Sequence, residues 1–77
     1  MNNSFELKHY EVIVGNIGCV YHDNNWNNPN VNMEVLEVFK EYVAMSKSKF
    51  GRASGESVWL LVNGELVDEF LGCMVAC

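Results

Sequence analysis

SVWLLVNGELVDEFL, residues 57 to 71, carries the strongest local signal in the chain. Two apolar runs flank Asn63-Gly64, a dipeptide that fits the type I′ turn, and the twist of that turn matches two antiparallel strands. A two-residue loop pairs Leu61 with Leu66, Leu60 with Val67 and Trp59 with Asp68. Alternation then sets Trp59, Leu61, Leu66 and Phe70 on one face of the hairpin and Val58, Leu60, Val62 and Val67 on the other. Both faces are apolar, so the hairpin needs cover on two sides.

The stretch before the hairpin supplies one cover. Between Met33 and Phe50, at about 100° per residue, Val35, Leu36, Phe39, Tyr42, Val43, Ser46 and Phe50 fall within one arc of about 120°. That arc is the expected buried face of a helix. Glu34, Glu37 and Glu41 gather on the opposite side, where like charges four residues apart slightly weaken an isolated helix. Asn30 or Asn32 can cap its start, Glu34 and Glu37 suit the positive end of its dipole, and Gly51 is placed as a left-handed terminator.

Further upstream, Tyr10, Val12, Ile13, Val14, Ile17, Val20 and Tyr21 are β-branched or aromatic, types that suit a pleated surface. GNIG, residues 15 to 18, interrupts them as a turn or a bulge, giving two short strands or one bent one. HDNNWNNPNVN, residues 22 to 32, holds six asparagines, one Pro and Trp26. Asn side chains bond their own backbone and tolerate the left-handed region, so this segment is read as a loop. The order is therefore β(β)αββ: an α+β fold, one domain over residues 1–77, with a small antiparallel sheet of three to four strands and one amphipathic helix on one face.

A chain of 77 residues buries a small share of its surface, so its core leaves a thin margin of stability. The second apolar face of the hairpin asks for a cover that a single helix does not supply. Another copy, packed sheet to sheet or edge to edge about a two-fold axis, answers both needs, and a homo-oligomer such as a dimer is expected. The competing arrangement folds the loop 22–32, with Trp26, and the tail after Gly72 back over that face.

Composition narrows the classes of function. A hydrophobic fraction of 49% is too high for a disordered chain. No stretch approaches the ~20 apolar residues of a membrane span, and MNNSFELKH lacks the order of a secretory signal, so a cytoplasmic protein is expected. Ten acidic against five basic residues, a formal net charge of −5, argue against general nucleic-acid binding, whose affinity comes from Lys and Arg on phosphates. Cys19, Cys73 and Cys77 form an odd set, expected as reduced thiols.

VGNIG at 14 to 18, KSKFGRASGE at 47 to 56 and LVNGELVDEF at 61 to 70 together resemble short uncharacterised proteins encoded by tailed bacteriophages and related mobile elements. The likeness spans residues 10 to 72 and leaves out the Asn-rich loop and the tail. That group has no established activity and so lends no functional residues. What the resemblance implies is a setting: a phage accessory protein acting on a host target in the bacterial cytoplasm.

Two surface constellations stand out. SKSKFGRASGE, residues 46 to 56, holds three of the five basic residues. Cations near a helix C-terminus meet unpaired carbonyls, a favourable contact of ~0.3 to 1 kcal/mol each, which alone accounts for the charges. Gly51, Ser54 and Gly55 add a run able to turn N–H groups and a hydroxyl toward an anion. Lys47, Lys49, Arg52, Ser54 and Gly55 are thus candidate ligands for a nucleotide-like anion, although the helix dipole opposes binding and the strand-then-helix order of a P-loop is missing. Glu34, Glu37 and Glu41, with Trp26, form the rival set: a negative surface that engages a basic pocket on a protein partner, or a solvated face that keeps a small protein soluble.

Chemistry is sparse elsewhere. Cys19 and His22, with Cys73 and Cys77, offer four soft ligands, yet residues three apart on an extended strand point to opposite faces, so no metal or other cofactor is expected. His9 and His22 as acid or base and Cys19 as nucleophile have no spacing that brings them together, and no enzyme is expected. The sequence favours a binding protein that inhibits a host protein, for example one of its defences, by direct contact. The alternative is an oligomer that sequesters an anionic nucleotide at the 46–56 loop.

Overall fold

The structure, a computed structural model, describes residues 6–72. Four strands and one helix follow in the order β1 (His9–Val14), β2 (Gly18–Asn24), α1 (Val31–Lys47), β3 (Val58–Val62) and β4 (Glu65–Phe70). They build an open antiparallel sheet of order β2-β1-β3-β4, with α1 packed on one face against β1, β2 and β3. The fold is α+β, with the helix after the first two strands.

Alternation along β1 and β3 decides the core. Val12 faces Leu60 and Val14 faces Val58 across the central ladder, and all four are buried beneath the helix with Val31, Val35, Phe39 and Ala53. The other parity, Glu11, Ile13, Trp59 and Leu61, lies on the face away from α1 and is only half-buried.

GNIG is a turn. The Ile17 N–H donates to Val14 O at 3.1 Å, and Asn16 and Gly18 take φ of 68° and 103°, which close the β1–β2 hairpin. A bulge exists as well, but in β2, where Val20 is the extra residue between Tyr21, opposite Val12, and Cys19, opposite Ile13. β2 also continues through His22 to Asn24, so the loop is shorter than the 22–32 expected from composition.

Three further expectations are corrected. The 63–64 turn pairs Leu61 with Leu66 as expected, but a bulge at Val67 then sets Leu60 opposite Asp68 and Trp59 opposite Glu69. Every later residue of β4 changes face, so Phe70 stands opposite Val58 and packs on the core instead of sharing the outer side with Trp59. The helix runs two residues earlier and stops at Lys47, which leaves Phe50 outside it and 84% exposed. Leu36, at the rim of the predicted arc, is 45% exposed, while Val31 at the first turn is buried. Finally, Asn30 is the N-cap residue but its side chain makes no capping bond, and Gly51, at φ 107°, shapes the following loop because the helix already ends at an extended Ser48.

The buried Ser46 has a specific role at that end. Its hydroxyl donates to Glu56 O at 2.5 Å and its carbonyl accepts the Gly55 N–H at 2.9 Å, tying the last helical turn to the approach of β3. Gly72 packs against the same backbone, where a Cβ would strike Gly55 O and Glu56, and its N–H donates to the Ser57 hydroxyl at 2.9 Å.

Candidate functional site

The Asn-rich connection between β2 and α1 is a hydrogen-bonded scaffold. Asp23 Oδ1 accepts from the Asn24 N–H at 2.8 Å and from Asn27 Nδ2 at 3.2 Å, while Asn24 Oδ1 accepts the Asn27 N–H at 2.7 Å. These donors, the Asn24 N–H first, hold the Asp23 carboxyl below its ordinary pKa, because each favours the charged form. On the other side, Asn25 accepts the Lys8 N–H at 2.9 Å and donates to Glu6 O at 2.7 Å, which fastens the loop to the chain ahead of β1. Asn28 Nδ2 reaches Glu34 at 2.8 Å and so joins the loop to the first turn of the helix.

Trp26 sits in the middle of this scaffold and is 55% exposed. Its backbone neighbours are bonded on both sides, yet the indole faces solvent. Glu34 accepts the Tyr21 hydroxyl at 3.3 Å as well as Asn28, and the Tyr21 pKa rises through burial first and then through the nearby Glu34 and Asp23 charges. From Glu34, Glu37 and Glu41 continue along the helix at spacings of three and four, all exposed. Glu34, Glu37 and Glu41 thus form an exposed line along the helix, and Asn28 joins its first member to the loop that carries the exposed Trp26. Behind the loop lies a groove of about 440 Å³ lined by Glu6, Lys8, Tyr10, Asn25, Pro29 and Asn32 among others, which no pattern in the sequence announces.

The 46–56 loop divides differently. Lys47, Lys49 and Arg52 are exposed. Lys47 Nζ lies 5.4 Å from the centre of the Phe70 ring, a cation–π contact, and Arg52 borders a shallow apolar groove of about 290 Å³ with Ile17, Val20, Tyr42, Met45 and Ala53. The two neutral donors are already engaged: the Ser54 hydroxyl donates to Ser48 O at 2.6 Å, and the Gly55 N–H to Ser46 O. Both serve to satisfy the helix end, so an anion at this loop meets three exposed cations while the Ser54 hydroxyl and the Gly55 N–H are bonded elsewhere.

The bulge at Val20 overturns one argument about the cysteines. Because it adds a residue, Cys19 and His22 lie on the same face of the sheet, opposite Ile13 and Glu11, although they are three apart in sequence. Cys19 is an exposed free thiol that contacts Tyr21 O at 3.4 Å. Cys73 and Cys77 fall outside the described residues, and among those described no three His, Cys, Asp or Glu side chains converge. Also among the described residues, no helix is long and apolar enough to cross a membrane.

No family model, no curated protein and no solved structure matches the chain.

Proposed function

We propose that this chain is a non-enzymatic binding module, of the phage accessory kind, that blocks a host protein in the bacterial cytoplasm by seating Trp26 and the Glu34–Glu37–Glu41 line on a basic surface with an apolar pocket. The supporting observation is the exposed Trp26 held on a loop cross-tied by Asp23, Asn24, Asn27 and Asn28. An indole costs hydrophobic free energy while it stays in water, and a loop braced in this way has already lost the freedom that binding would otherwise remove. Aromatic anchors ringed by charge are where interface energy concentrates, and the carboxylates add speed and orientation to the encounter.

The working unit in this proposal is a two-fold dimer. The sheet face away from α1 carries Ile13, Trp59 and Leu61, half-buried, beside the exposed Leu66, and a second copy is the simplest cover for it. The competing proposal, capture of an anionic nucleotide by Lys47, Lys49 and Arg52, draws on their shared exposure alone.

Affinity capture from a bacterial host lysate separates the two. The expected result is one dominant protein, lost with Trp26→Ala, reduced at least tenfold with Glu37→Lys plus Glu41→Lys, and weakened by added salt. Equal recovery by the charge-reversed and Trp26→Ala variants removes the proposal. A thermal shift with nucleotides, abolished by Lys47→Glu plus Arg52→Glu, would transfer the function to the 46–56 loop.

A further inference from the structure

The face away from α1 also carries two imidazoles that the proposed recognition surface does not use. His9 on β1 and His22 on β2 stack with ring centroids 5.9 Å apart and planes 29° from parallel. Their positions follow from the ladder: His9 opposes Asn24 and His22 opposes Glu11, so the histidines are diagonal neighbours and Glu11 stands beside both on the same face. His22 is exposed, and His9 and Glu11 are half-buried.

We propose that His9 and His22 form a chelating pair for a divalent transition metal of the Zn²⁺ or Cu²⁺ class. With Zn–N bonds of about 2.0–2.1 Å, two imidazoles on one tetrahedral ion hold their ring centres about 5 Å apart. The observed 5.9 Å is near that value, but the rings meet face to face, so their nitrogens converge on one ion only once the exposed His22 turns to another rotamer. The strand pairing fixes the backbone beneath both rings, so bringing the two ligands together requires no change of fold. Glu11 places a carboxylate next to the cation on the same surface.

Ligand chemistry sets the selectivity. Imidazole nitrogen suits Zn²⁺, Cu²⁺ and Ni²⁺, whereas Mg²⁺ and Ca²⁺ demand several oxygens that this face does not gather. Two protein ligands leave the remaining positions to water, and these open toward whatever molecule covers the sheet. The pair is thus a place where a donor from outside the protomer can join the ion.

The test uses the full chain carrying Cys19→Ser, Cys73→Ser and Cys77→Ser, so that thiols do not compete. Calorimetric titration with ZnCl₂ near neutral pH should show saturable uptake of one ion per chain, with no heat from MgCl₂ at the same concentrations. His9→Gln and His22→Gln should each weaken Zn²⁺ binding by about tenfold or more, with unchanged far-ultraviolet circular dichroism. In the parent chain, Zn²⁺ should shift the ring ¹⁵N resonances of both histidines together, a readout that needs no further substitution. Uptake that survives both variants, or ring resonances that do not move, overturns the proposal and leaves the stacked rings as a plain cross-strand contact.

Discussion

Asn63 shows how one side chain closes one end of the two central strands. At φ 54° it takes the left-handed conformation that the hairpin turn requires. Its N–H also donates to His9 O at 2.7 Å, and its Oδ1 accepts the His9 N–H at 2.9 Å, so the turn between β3 and β4 closes the end of β1 as well. Asn63→Ala loses both the tolerance for positive φ and the side-chain bond, and should lower the unfolding free energy by about 1–3 kcal/mol in urea titrations. Asn63→Gly keeps the first and loses only the second, so its cost should be clearly smaller. Equal costs would mean that the hydrogen bond, not the conformation, is what the position supplies.

At the scale of elements, the hydrophobic period made the helix legible and misplaced its ends. Phe39, in the middle of the predicted arc, is buried at 8% exposure, and truncation to Ala should cost about 3–5 kcal/mol. That is a large part of the roughly 4–12 kcal/mol expected of a domain this size, so Phe39→Ala should be largely unfolded at 37 °C by circular dichroism. Leu36→Ala, on the same predicted arc but half in water, should change stability by less than about 1.5 kcal/mol. The helix ends escaped because the stop is made by Ser46, whose bonds to Glu56 O and from Gly55 N–H are tertiary contacts that no local pattern carries. The bulges escaped for a related reason: β4 reads ELVDEF, whose adjacent Leu66-Val67 and Asp68-Glu69 break the alternation without marking which residue is unpaired, and the shift that leaves out Val67 is the one that brings Phe70 to the core. Asn63-Gly64, in contrast, was readable because the dipeptide's own conformational preference sets the turn. The candidate site was legible in the same uneven way. Composition pointed to Trp26 and the glutamates, but the cross-bonding among Asp23, Asn24, Asn27 and Asn28, and the meeting of His9 with His22, exist only once the strands are in register.

For the whole molecule, one helix on a four-stranded sheet meets β4 at its end, where Lys47 lies over Phe70, and among the described residues no element lies over the opposite face. If a second copy supplies the cover, sedimentation equilibrium should report a dimer at micromolar concentration, and Leu66→Asp should give a monomer with an unchanged circular dichroism spectrum. A monomer from the unsubstituted chain removes the dimer from the proposal. The outer strand bears on how two copies meet. β4 is an edge of the sheet, and Glu65, Asp68 and Glu69 lie exposed along it with a bulge between them. Identical rows of carboxylates repel one another, and a kinked ladder is a poor template, so ribbon-like growth by strand addition is suppressed while contact through the broad face is left open. Glu65→Gln, Asp68→Asn and Glu69→Gln together remove this guard: the margin of the sheet becomes adhesive, and a preparation that stays clear with the native carboxylates is then prone to grow into fibres.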